Sequence, residues 1–130
     1  MTPAAPCLAR RFWELMSSND FYAVAEVLAP DFVLEWPQSG ERIRGAQSFA
    51  RVNAEYPAHG RWVFTVNRLF GDEAEAVSDV HVTDGVQRAR AISFFSAKDG
   101  KIARLVEFWP EPMPAQPNRA HLVERMEAQV

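Results

Sequence analysis

Leu8, Phe12, Leu15 and Met16 recur at the spacing of one helical face, so residues 7–18 read as a first amphipathic helix. Asn19-Asp20 breaks and caps it. A second, shorter helix runs from Phe21 to Ala29, with Phe21, Val24, Ala25 and Leu28 on one side and Pro30 beyond its end. Phe32-Val33-Leu34-Glu35-Trp36 is strand-like by its aromatic and branched content and stops at Pro37. Residues 38–41 read as a turn and 42–44 as a brief return before Gly45. A third helix over 46–56 carries Phe49, Val52 and Tyr56 and ends before Pro57.

After Pro57 the hydrophobic period falls from about 3.6 residues to about 2. Four strands are expected at 61–70, 74–83, 86–97 and 101–109, separated by Gly71-Asp72, Asp84-Gly85 and Asp99-Gly100. Asp-Gly between alternating runs is a strong hairpin signal, so these strands should form an antiparallel meander. Pro110, Pro112, Pro114 and Pro117 give a stiff exit, and a last helix over 118–129, capped by Asn118, should lay Leu122, Val123 and Met126 on the sheet or on a neighbour.

Two-residue turns at 84–85 and 99–100 would set Asp79 opposite Arg90, His81 opposite Arg88, and Ile92 between Val77 and Glu107. One sheet face then collects Trp62, Phe64, Val66, Val77, Asp79, His81, Arg90, Ile92, Phe94, Leu105, Glu107 and Trp109. Its bulky aromatics and ionisable groups mark it as a pocket wall covered by the helices. The other face, with Val63, Thr65, Leu69, Ala76, Ser78, Val80, Val82, Ala89, Ala91, Ser93, Phe95, Val106 and Phe108, is smaller in side chain yet apolar. A sheet-to-sheet homodimer would bury it.

Composition narrows the partners. The 130 residues make one domain, residues 1–130, and four tryptophans with nine phenylalanines make it rich in large flat apolar side chains, each of which suits a core at least as well as a ligand site. A net charge of -3 with scattered basic residues offers no footprint for nucleic acid. The single cysteine, Cys7, allows no internal disulfide. No apolar run is long enough to span a membrane and the start lacks the regions of a signal peptide, so a soluble cytoplasmic protein is expected.

Asp79, His81 and Glu107 form the best acid-base set, since a carboxylate beside an imidazole in an apolar hollow is tuned toward neutral pH. The alternative is that Asp79 with Arg90, and His81 near Arg88, are cross-strand pairs at a rim, with Glu107 reaching Arg90 on the diagonal. Trp13, Trp36, Tyr56, Trp62, Phe64 and Trp109 could frame a flat or ring-containing ligand, with Arg90 as its polar contact and Tyr22 at the mouth. Glu41 and Arg42 are expected to face solvent. His59 and His121 have no partner at metal-ligand spacing, and no phosphate or nucleotide motif is present, so neither metal nor cofactor is expected.

The run Phe32-Val33-Leu34-Glu35-Trp36-Pro37-Gln38-Ser39-Gly40-Glu41-Arg42-Ile43-Arg44-Gly45, and the stretch from Asp99-Gly100-Lys101-Ile102 to Glu107-Phe108-Trp109-Pro110, resemble segments of SnoaL-like proteins. These belong to the NTF2-like superfamily, whose enzymes include ketosteroid isomerases and polyketide cyclases. The resemblance implies an α+β cone, the cystatin-like barrel, with three N-terminal helices packed on a curved antiparallel sheet and a C-terminal helix. It also implies what is missing. The isomerases' general-base aspartate falls on Trp36, their oxyanion-hole tyrosine on Phe12 and their protonated aspartate on or beside Ile92. SnoaL-type cyclases pair a histidine with an acid on the last two strands; Glu107 matches the acid, while Ile92-Ser93 offers no histidine. The expectation is a small-molecule-binding protein, with cofactor-free isomerase, cyclase or hydratase chemistry by general acid-base catalysis, and not a steroid isomerase. A non-catalytic binding or dimeric scaffold is the alternative.

Overall fold

A computed structural model describes residues 2–129. Helix α1 spans Ala5–Ser17, with Pro6 in its first turn, where a missing N–H costs nothing. It stops because Asn19 adopts φ 63, a left-handed conformation that asparagine tolerates, while the Asn19 N–H bonds Met16 O. The second helix is a 3-10 helix, Phe21–Val27, and strand β1 takes over at Leu28 and continues to Trp36 through Pro30. Strand β2, Glu41–Arg44, returns antiparallel, and α2, Ala46–Glu55, follows Gly45, whose φ of 85 makes the corner.

The meander is present as β3 (Val63–Gly71), β4 (Glu75–Thr83), β5 (Arg88–Lys98) and β6 (Lys101–Phe108). The six strands are ordered β2-β1-β6-β5-β4-β3, with β1 parallel to β6 and every other pair antiparallel. The curved sheet does not close, and the helices cover one face. Phe12 meets Phe95 at 5.3 Å between ring centroids, and Trp13 meets Phe64 at 5.6 Å. Phe12, Phe32, Phe95, Ile102 and Leu105 are fully buried in this core.

Three details correct the sequence expectations. The Asp99-Gly100 turn is two residues long, as expected, with both residues at positive φ. The Asp84 turn is four residues long: Asp84 N donates to Gln87 O, and the Asp84 carboxylate accepts from the N–H groups of Val86 and Gln87. Asp79 therefore pairs with Ile92, and His81 with Arg90. That shift of two keeps the faces. A bulge at Ala103 does not: Ala97 pairs with Ile102 but Ser96 pairs with Arg104, so Ser93, not Ile92, stands opposite Glu107. A second bulge, at Asn67, separates Val66–Val80 from Arg68–Asp79.

The inner face of β4 and β5 is consequently the one carrying Ser78, Val80, Val82, Ala89, Ala91, Ser93 and Phe95. Val77, Asp79, His81, Arg90, Ile92 and Phe94 point outward, with Val106 and Phe108 of β6 beside them. The expected C-terminal helix is reduced to a 3-10 turn, Pro117–Leu122. Leu122, Val123 and Met126 are exposed and no part of the buried core. No helix among the described residues is long and apolar enough to cross a membrane.

Candidate functional site

Between the helices and the inner sheet face lies a cavity of about 510 Å³, within the range of small-molecule sites. Its depth is apolar. Phe12, Trp13 and Met16 descend from α1, Leu34 rises from β1 and Phe49 closes from α2. Six of the seven expected ligand contacts are on its wall: Trp13, Trp36, Tyr56, Trp62, Phe64 and Trp109. Arg90 is not, because the Ala103 bulge leaves it on the outer face.

The wall is tied at several points. Asn19 both donates to Trp62 O at 2.9 Å and accepts from Trp62 N at 2.8 Å. Asp84 accepts from His59 N at 2.8 Å. The residues that end α1 and turn β4 into β5 thus also hold the segment between Tyr56 and Trp62 over the opening. Trp109 N is held by the Gln38 side chain, which fixes the opposite edge.

Glu107 is the one ionisable group of the expected acid-base set that lines the cavity, and it is 5% exposed. Ser93 Oγ donates to its Oε2 at 2.7 Å, and Trp36 Nε1 donates to its Oε1 at 3.1 Å. No arginine reaches it. Burial raises its pKa above the usual carboxylate range, against the pull of the Ser93, Trp36 and Trp109 hydrogen bonds.

Asp79 and His81, expected beside Glu107, are on the other side of the sheet. Arg90 Nε donates to Asp79 Oδ1 at 2.7 Å, and Arg68 Nη2 donates to Asp79 Oδ2 at 2.9 Å. Arg90 above all, then Arg68, holds the Asp79 carboxyl well below its ordinary pKa. His81 is exposed, with its Nδ1 2.6 Å from Asn67 Nδ2. The cross-strand pairing weighed as the alternative is what Asp79 does, although its partners are Arg90 on the diagonal and Arg68 across β3.

Several wall residues escaped the sequence reading. Glu41, exposed as expected, also lines the rim, as do Gln87 of the four-residue turn, Arg88 at the start of β5 and Glu111 of the proline-rich exit. Ser93 stands behind Glu107 because β6 bulges. Of the positions matching isomerase catalytic groups, Phe12 and Trp36 do face the cavity, without carboxyl or phenol, whereas Ile92 faces outward. Among the described residues no group of three or more His, Cys, Asp or Glu is placed to hold a metal ion.

A comparison with curated proteins finds no match. Among solved structures, a Kribbella flavida protein provisionally assigned as a ketosteroid isomerase is 38% identical. The match covers 95% of this chain and 90% of that one, with a TM-score of 0.85. A provisionally assigned polyketide cyclase from Sinorhizobium meliloti is 25% identical over 77% of this chain and 92% of its own, with a TM-score of 0.64. An epoxide hydrolase of the LEH-like type from M. tuberculosis, 20% identical over 79% of this chain and 80% of its own, shares the fold with a TM-score of 0.63. The family model of the SnoaL-like domain matches residues 9–105, and with the α+β fold, the unclosed curved sheet and the covered cavity in place, this chain belongs to the SnoaL-like domain family.

Proposed function

We propose that the cavity binds an apolar, ring-containing small molecule. The chain then acts on it by general acid-base catalysis without a cofactor, in a reaction of isomerase, cyclase or hydratase type, with Glu107 taking and returning the proton. The observation that carries this reading is Glu107 itself: a buried carboxyl on the wall of a 510 Å³ aromatic cavity, held by neutral donors and unpaired with any cation. The buried carboxylates with structural roles differ in place and partners: Asp79 lies on the outer face between two arginines, and Asp84 ties its own turn through backbone N–H groups. The relatives' names support proton-transfer chemistry as the class. Phe12 and Trp36 argue against the steroid isomerase version, because neither holds an acid or a base where that reaction needs one.

The test is protein purified with its endogenous ligand, examined by native mass spectrometry and crystallography. Ring-bearing density against Glu107 supports the reading; a cavity that takes up no aromatic compound at millimolar concentration refutes it. A β,γ-unsaturated ketosteroid should not be conjugated by the wild-type protein in a spectrophotometric assay, and measurable turnover would contradict the residue matching.

The same reading makes the protein a homodimer through the outer sheet face. Phe70 and Phe94 are exposed there, and Val77, Val106 and Phe108 are half-buried beside them. They form a contiguous apolar band, since Phe70 pairs with Val77, Val77 with Phe94, and Phe94 with Val106.

A further inference from the structure

Glu14, Glu26, Glu35, Glu55 and Asp79 each lie against an arginine. Glu41, Glu107 and Glu111 take part in no ion pair among the described residues, and all three line the cavity. Glu41 is the strand partner of Trp36, Trp36 donates to Glu107, and Trp109 and Glu111 follow Glu107 at alternate positions as the chain leaves β6.

The cavity wall thus carries three carboxyl groups against a single guanidinium, Arg88, at the start of β5, and two of its indoles, Trp36 and Trp109, hydrogen-bond the buried Glu107. Trp36 uses its N–H, which lies in the ring plane, so the bond to Glu107 occupies neither face of the indole. Tryptophan faces attract cations most strongly when water is excluded. In such a space a carboxyl without a protein counter-ion is costly to ionise, and a positive charge on the ligand offsets that cost. An anionic ligand, such as a phosphate or an acyl carboxylate, meets the wrong field at the same place.

We propose that the ligand is an apolar ammonium compound. Its cationic head lies at the corner of Trp36, Glu107 and Trp109, and its hydrocarbon body reaches toward Phe12 and Phe49. This rests on the proposed function and names its substrate class. The positive head stabilises Glu107 in its ionised form, so that the ligand itself prepares the base that acts on it.

Isothermal titration calorimetry with three probes of equal size tests this: naphthylmethyl-trimethylammonium, its uncharged tert-butyl isostere and naphthylacetate. The ammonium probe should bind roughly tenfold tighter than the isostere, and the carboxylate should bind weakest. Glu107→Gln should abolish that preference while leaving isostere binding in place. Glu111→Gln, at an exposed position that does not threaten folding, should weaken the ammonium probe about two- to threefold and leave the isostere unchanged. If the isostere or the carboxylate binds as tightly as the ammonium, the cationic class is wrong and the cavity reading stands. If none of the three binds, the proposed function fails with it.

Discussion

Glu107 and Asp79 are equally buried by exposure, yet their surroundings push them in opposite directions, and pH should separate them. Burial raises the Glu107 pKa, so the folded chain holds that proton where the unfolded chain has released it. Stability from this group is present below its unfolded value near 4.5 and declines as pH rises through the folded value. Glu107→Gln removes the decline. Urea titrations of both proteins between pH 5 and 8 should show the variant gaining on the wild type as pH increases. Asp79 has the reverse sign: its pairing with Arg90 and Arg68 is present above the ordinary aspartate range and is lost on acidification. Asp79→Ala strands Arg90, and a loss of about 2 kcal/mol at neutral pH is expected in the same assay.

At the scale of elements, the bulge at Ala103 decides which side of the sheet faces the site. It lets Ile102 and Leu105, three residues apart and both fully buried, point into one core. Deleting Ala103 alone would leave them at the spacing of a regular strand and keep the faces, whereas deleting Ala103 and Arg104 together would make them adjacent, force one outward and carry Glu107 to the wrong face. With the double deletion about 2–5 kcal/mol of stability should be lost, along with binding of an aromatic probe, whereas Ala103→Gly, which keeps the count, should retain binding. The same bulge marks the limit of what was legible in the sequence. Helices α1 and α2, all six strands and the aromatic wall follow from periodicity, turn residues and composition. Strict alternation, however, cannot report an extra residue, so Asp79, His81 and Arg90 were assigned to the cavity and Ser93 was missed. Two large apolar residues spaced by three, Ile102 and Leu105, were the available sign. The long Asp84 turn escaped because its extra stability comes from a carboxylate accepting two backbone N–H groups, which looks from sequence like an ordinary Asp-Gly hairpin. The C-terminal helix failed for a different reason: a helical pattern without a surface to pack on contributes little by itself.

For the whole molecule, two apolar surfaces are left uncovered, the outer sheet band around Phe94 and the tail bearing Leu122, Val123 and Met126. If the band joins two copies, light scattering after size exclusion should give twice the monomer mass, and Phe94→Asp should give the monomer with its fold intact by circular dichroism. A wild-type monomer at high micromolar concentration would reject the dimer. Inside, the four tryptophans of the chain, Trp13, Trp36, Trp62 and Trp109, all border one cavity. The protein's entire indole emission therefore originates at the site, with no remote tryptophan to add a constant background. Any ligand that displaces water there should change the colour and intensity of that emission, so the unmodified protein serves as its own optical sensor for finding what it binds.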